Sequence, residues 1–197
     1  MFFSGIARAS RVSVVLAALS LAAAGSAVAA PTSTKFEPSQ TVQGTPLALN
    51  GAGTRYRAIF KVYDMALYTQ SKVGTPEALV ALPGPKRLNF VALRDVPGTD
   101  LGLAFIKGLA ANSTPELTQK HTASSTRLIE IFSGRPKLAT GDSFAMEYLP
   151  GKGTTFYIVG QPQGAPVGDA EFFGMVLKIW VGANPADYKL KDALLGL

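Results

Sequence analysis

Cysteine is absent from the 197 residues, and histidine and tryptophan occur once each. Without cysteine no disulfide can staple the fold, so burial of apolar surface has to supply its stability. Thiolate metal sites and thiol catalysis are excluded as well. The single histidine, His121, has no second histidine or cysteine with which to build a metal cage, so no metal centre is expected. No Gly-x-Ser-x-Gly elbow exists to offer it a serine nucleophile, which argues against hydrolase chemistry. The pattern around His121 predicts a solvated or locally bonded side chain on a polar helix face. Acidic residues are outnumbered, 13 against 19 lysines and arginines, giving a net charge of +6. Two of those cations, Arg8 and Arg11, sit in the N-terminal leader, and the rest are scattered rather than gathered into a stripe, which speaks against a nucleic-acid surface.

Phosphate-binding loops are missing too. Gly151-Lys152-Gly153-Thr154 has glycine after the lysine where Ser or Thr is needed, and strands flank it on both sides. Gly51-x-Gly53 is followed by Tyr56 rather than a third glycine and runs into a strand, so no dinucleotide fold is supported and no cofactor is expected. Asp142 and Glu147 straddle a strand start and are expected to face water rather than to act as paired catalytic carboxylates.

What is present begins with a leader. Arg8 and Arg11 form a basic start, Val12 to Ala24 an apolar run, and Ala27-Val28-Ala29 a small-x-small cleavage site, the pattern of an export signal spanning residues 1–29. The run is shorter than the ~20 residues that span a bilayer, and nothing later in the chain is long enough to do so. Export of this kind points to the bacterial envelope, with the periplasm as the expected compartment. Residues 30–40 are rich in Pro, Ser and Thr without periodicity and predict a flexible arm. Residues 41–197 are sufficient for one domain with one core, and no change of composition divides them.

Within that domain, Thr41 to Leu49 predicts a strand pair or bent strand, and Asn50-Gly51-Ala52-Gly53 a turn into a long strand through Tyr68. Thr75 caps a short helix that opens on Pro76. Arg87 to Arg94 alternates with period two, as a half-exposed strand does. Leu101, Phe105, Ile106 and Leu109 recur at helical spacing over Asp100 to Asn112. Ser113-Thr114-Pro115-Glu116 then starts a helix expected to run through Phe132 and stop at Gly134. Ser143–Leu149 and Thr154–Val159 flank Pro150-Gly151-Lys152-Gly153 as a hairpin. Ala170 to Trp180 and Pro185 to Leu195 are two final helices, of which the first, with Phe173 and Trp180, is apolar enough to be core. Strands, then helices, then strands, then helices describe an α+β domain, an antiparallel sheet covered on one face by a layer of helices.

The densest chemistry lies at Gly51-Ala52-Gly53-Thr54-Arg55 and the aromatic strand that follows. Strand alternation would place Arg55, Ile59, Tyr63, Met65 and Leu67 on one face, with a guanidinium and a phenol looking over an apolar wall. That pairing suits a small molecule with a carboxylate or oxyanion head and an apolar body. An arginine that merely caps a hairpin or pairs with Asp64 is the plainer alternative.

The Gly51–Arg55 segment, Lys61-Val-Tyr63, Ala66-Leu-Tyr68, Tyr148-x-Pro150-Gly-x-Gly153-Thr154 and the ending from Phe172-Phe through Ile179-Trp180-Val-Gly182 to Leu194-Leu195-Gly196 together resemble the chalcone isomerase-like proteins, in particular their exported bacterial branch. The resemblance covers nearly all of the chain after the leader. It implies an open-faced β-sandwich with a ligand cleft between sheet and helices. In fatty-acid-binding members an arginine after the glycine turn and a tyrosine on the next strand hold a carboxylate, which here implies Arg55 and Tyr63. In true isomerases the same arginine works beside a threonine, a tyrosine and an asparagine. Here the threonine position falls on Tyr63, the tyrosine on Phe105 and the asparagine on Asn112, while a polar substrate-contacting position falls on Ile179 or Trp180.

The resemblance thus implies Arg55, Tyr63, Phe105, Asn112 and Ile179 as ligand-binding residues, with Arg55, Tyr63 and Asn112 carrying any catalysis. Three readings remain open: a non-catalytic binder of a fatty acid or similar apolar carboxylate, an intramolecular lyase or isomerase that stabilises an oxyanion at Arg55, and an envelope interaction module with a vestigial pocket. Oligomeric state is not legible.

Overall fold

A computed structural model of the chain describes Met1 and residues 32–197. Apart from Met1, the expected export leader and its cleavage site lie outside the described residues, as do Ala30 and Pro31. Among the described residues no helix is long and apolar enough to cross a membrane.

The architecture is α+β. Seven strands form one sheet in the order β1 (Ser39–Val42), β2 (Thr45–Arg57), β3 (Phe60–Thr69), β4 (Lys86–Ala92), β7 (Ser143–Leu149), β8 (Gly153–Ile158) and β9 (Gln161–Pro162). Every neighbouring pair is antiparallel. The remaining strands, β5 (Val96–Pro97) and β6 (Lys137–Leu138), make a separate two-stranded ribbon. Among the described residues there are six helices: α1 (Pro76–Ala81), α2 (Gly98–Ala111), α3 (Pro115–Lys120), α4 (Thr122–Ser133), α5 (Ala170–Val181) and α6 (Tyr188–Leu195).

The sheet is built as its sequence pattern demands. On β4, Leu88, Phe90 and Ala92 are buried while Arg87, Asn89 and Val91 between them are only half-buried, the alternation of a strand with one core face. Helix α5 is apolar on nearly every side and is buried from Phe172 to Val181 except at Lys178, as a helix without a polar face must be. Local chemistry sets the helix starts. Thr75 accepts from the Ala78 amide and Thr114 from that of Leu117, each followed by a first-turn proline, and Asp169 and Asp187 cap α5 and α6.

The main core lies between the sheet and the helices and contains Met65, Leu67, Phe90, Phe144, Phe156, Phe172 and Trp180. A second, smaller cluster of Val42, Leu47, Ala52, Ala66 and Tyr68 lies on the opposite face of β1–β3, and Phe36 packs on it.

Five local expectations differ from what is found. Asn50 to Gly53 is not a turn: it lies inside β2, with a bulge between Leu49 and Gly51, and the chain turns only at Ala58-Ile59. The glycines serve close approach instead. A Cβ on Gly51 would stand 2.1 Å from the Ala193 carbonyl oxygen, and one on Gly53 2.8 Å from the Ala193 side chain, so α6 can lie on β2 only where these side chains are missing.

The helix expected from Pro115 to Phe132 is broken at His121, whose backbone leaves helical geometry at φ −101° and ψ 22°. Its ring is buried, not solvated, and bonds the Glu171 carboxylate 2.7 Å away on α5. Glu147, expected to face water, is 9% exposed and pairs with Arg87 across the strands at 2.5 Å. Asp142 caps the amide of Ala139.

Residues 32–40, expected as a flexible arm, lie along the outer face of the sheet. The Thr34 amide donates to Asp64, Glu37 O accepts from the Tyr68 hydroxyl, and β1 begins at Ser39. Buried polar groups on the sheet, Asp64 above all, give this segment partners that its own composition does not reveal.

Candidate ligand-binding site

Strand pairing positions the two residues with the most pointed chemistry. Arg55 near the end of β2 is directly opposite Tyr63 on β3, so both side chains leave the sheet on the helix-covered face. The guanidinium carbon sits 5.6 Å from the Tyr63 ring centroid, within cation–π range. Ile59, expected on the same face, is instead at the hairpin tip and 84% exposed.

Beside this pair opens a cavity of about 550 Å3, bounded by β2 and β3, the β4–α2 connection, α2 and the end of α5. Such a volume is in the ~300–1,000 Å3 range of small-molecule sites. Val62, Leu101, Ala104, Phe105, Ile179 and Trp180 supply its apolar walls, and Gly108 on α2 faces Ile179 so closely that a Cβ there would stand 2.8 Å from its side chain.

The wall behind Tyr63 is a cluster of rings. Phe90 and Phe144 stack at 4.0 Å, Tyr63 meets Phe90 edge-on at 5.5 Å, and Phe90 and Trp180 lie 5.1 Å apart. Contacts of this density hold each ring in one place, so the cavity wall is pre-organised.

Polar groups in the cavity are asymmetric in their satisfaction. The Nε of Arg55 is buried and finds no acceptor among the described residues, and no carboxylate pairs with this arginine there. An orphaned buried cationic donor is uncommon because its desolvation is expensive. The Tyr63 hydroxyl accepts a hydrogen bond of 2.7 Å from the Trp180 indole Nε1, which leaves its own proton to donate. Burial pushes the Tyr63 phenol above its usual value of 10, against the opposing pull of the Arg55 guanidinium and the Trp180 bond. Tyr63 is therefore a neutral donor at physiological pH. A cation and a neutral donor side by side, over apolar walls, match a carboxylate with an apolar body.

The raised phenol has a testable consequence. The folded state holds this proton more tightly than the unfolded chain, so the associated stability is complete below pH 10 and lost as pH climbs beyond it. The Tyr63→Phe variant is expected to lose less stability between pH 9 and 11 than the parent protein, measured by urea unfolding at each pH.

Of the five expected ligand-binding residues, four meet here: Arg55, Tyr63, Phe105 and Ile179 all line the cavity. Asn112 does not. It is the C-cap of α2, where its amide nitrogen donates to the carbonyls of Gly108 at 3.0 Å and Asn184 at 2.8 Å, and its oxygen accepts from the Asn184 amide at 2.9 Å. These bonds tie α2 to the loop after α5. Asn112→Ala should lower stability by roughly 1–2 kcal/mol in chemical denaturation while a ligand titration stays unchanged.

Arg57, Arg94 and Lys107 also border the cavity, together with Asp95 and Asp100; Asp95 is engaged by Lys137. Sequence reading had no hold on these, since the ends of separate strands and the middle of α2 meet only through the fold.

One further cluster could in principle hold a cation. His121, Asp169 and Glu171 each bring a ligand atom within 4.8 Å of one another. These groups already have partners: Lys120 and His121 both bond Glu171 and hold its carboxyl below the usual range, and Asp169 caps α5 through the Phe172 amide.

The profile of the chalcone isomerase-like family matches residues 30–196. The chain belongs to that family. The family assignment agrees with the sheet-and-helix architecture. No curated protein sequence matches the chain. Among solved structures it is similar to the crystal structure of a fatty-acid binding protein of Arabidopsis thaliana, with a TM-score of 0.66 at 14% sequence identity, the match covering 86% of this chain and 95% of the other. At that identity the likeness speaks for the fold.

Proposed function

We propose that this chalcone isomerase-like protein is an exported periplasmic binder of a fatty acid or a similar apolar carboxylate and acts without catalysis. The observation that carries the reading is the buried Nε of Arg55, unpaired among the described residues, at the rim of an apolar cavity beside a Tyr63 hydroxyl with a proton to donate. A carboxylate would accept from both and neutralise the guanidinium, which removes the desolvation penalty of the empty site. The similar Arabidopsis protein is itself a fatty-acid binding protein, which supports the ligand class.

The reading without catalysis rests on what surrounds Arg55. Phe105 offers no polar group, and the Asn112 amide is engaged at the end of α2. An oxyanion mechanism works through several preorganised donors around the reacting atom.

The protein should carry fatty acid through purification, identifiable by mass spectrometry after denaturation. Once stripped, it should rebind a long-chain acid but not the alcohol or methyl ester of the same length. Equal affinity for acid and alcohol would overturn the carboxylate assignment. For the compartment, the first residue of the protein recovered from the periplasm should be Ala30, and recovery from the cytoplasm with Met1 intact would refute export.

A further inference from the structure

The mouth of the cavity carries an arrangement that ligand binding does not use. The β2–β3 hairpin ends in a tight turn at Ala58, with φ +54°, that pushes Ile59 and Phe60 outward; they are 84% and 57% exposed. Leu103 on α2 borders the cavity and is 49% exposed. Adjacent exposed apolar side chains at one hairpin turn, unlike surface residues scattered singly, are the kind of grouping that marks a contact surface.

Three cations accompany them. Arg57 at the base of the hairpin, Arg94 after β4 and Lys107 one turn along α2 from Leu103 all border the same opening and are exposed. None pairs with a carboxylate among the described residues. The Arg94 guanidinium lies 5.6 Å from the Phe60 ring centroid, which joins the basic and apolar parts into one patch. Two acids share the rim, Asp95, already held by Lys137, and Asp100, so the patch is positive overall.

We propose that this rim docks on an anionic lipid bilayer, with Ile59 and Phe60 entering the headgroup region and Arg57, Arg94 and Lys107 pairing with lipid phosphates. Apolar tips ringed by cations are the composition that an interface of this kind selects, because burial of the tips and attraction to the charged surface add. A protein interface is depleted of charge at its core, whereas here exposed cations stand directly against the apolar side chains, Arg94 over the Phe60 ring. Docked this way, the protein turns its cavity mouth toward the membrane, so an apolar ligand could pass between bilayer and cavity with little exposure to water. Only that passage rests on the fatty-acid reading; the docking stands without it.

The test is co-sedimentation with phosphatidylcholine vesicles containing phosphatidylglycerol, against vesicles of phosphatidylcholine alone. The parent protein should sediment with the anionic vesicles, less so as salt is raised, and the paired substitution Ile59→Ser with Phe60→Ser should weaken partitioning roughly tenfold. Val159, half-exposed on the β8–β9 turn, supplies the control, since Val159→Ser should change nothing. The doubly substituted protein should still retain fatty acid, which separates loss of docking from loss of the cavity. The proposal is overturned if the parent stays in solution with anionic vesicles, or if the double variant sediments equally well. It is overturned too if light scattering shows a dimer that the same substitutions dissolve, which would make the patch a self-association surface.

Discussion

Replacing Arg55 by alanine is expected to lower affinity for a long-chain fatty acid by roughly ten- to a hundredfold, the span that a charge-assisted hydrogen bond in a buried site supports. The fold should survive the change. Arg55 is only half-buried and bonds no carboxylate among the described residues, so its removal relieves an unpaired charge and leaves no acceptor orphaned. Arg55→Lys should recover part of the affinity: the charge returns, but not the planar fork that can meet both oxygens of a carboxylate. The only tryptophan of the chain, Trp180, borders the cavity and bonds Tyr63, so intrinsic fluorescence reports occupancy without a label. Unchanged affinity in Arg55→Ala, with the melting transition intact, would refute the clamp and with it the proposed ligand class.

Trp180→Ala should be the most destabilising single substitution near the site, by about 3–5 kcal/mol. Trp180 is 1% exposed and touches Phe90 and Phe105, so truncation opens a void between α5 and the sheet. It also removes the donor that holds the Tyr63 hydroxyl. Trp180→Phe keeps most of the ring contacts and loses the indole N–H, so its deficit should be nearer 1 kcal/mol. Urea unfolding followed by circular dichroism separates the two. A loss below about 1 kcal/mol for Trp180→Ala would mean that the helix collapses onto the gap, and that the cavity wall is softer than its ring packing implies.

Much of the architecture could be read from the chain because local signals there are strong and unopposed. Thr75-Pro76 and Thr114-Pro115 open helices since their hydroxyls reach orphan amides within three residues. The hairpin at Pro150–Gly153 forms where glycines with positive φ let the strands reverse, at Gly151 and Gly153. The signals misled where a distant partner intervened. Gly51 and Gly53 look like turn residues, yet they are glycines because the backbone of α6, some 140 residues later, lies against them. His121 sits in what reads as a polar helix face, but Glu171 on another helix draws it inward and the helix breaks there.

The candidate site divides in the same way. Arg55 and Tyr63 were expected on one face of a single long strand; they do share a face, but because a hairpin turning at Ala58-Ile59 sets them opposite each other on β2 and β3. Asn112 was legible only through family resemblance, and the structure places its amide in the joint between α2 and the loop after α5.

The sequence by itself determined the class of the domain, its dependence on burial in place of disulfides, and the placing of a cation and a phenol on one face, since alternation, capping and composition act within a few residues. Tertiary structure alone decided that the phenol is held by Trp180, that the Arg55 Nε, beside a cavity, finds no acceptor among the described residues, and that Arg57, Arg94 and Lys107 border its mouth, with Phe60 against Arg94. Burial and pairing are properties of what comes near, and nothing in a linear order of residues states which distant groups a fold will bring together or leave unmatched.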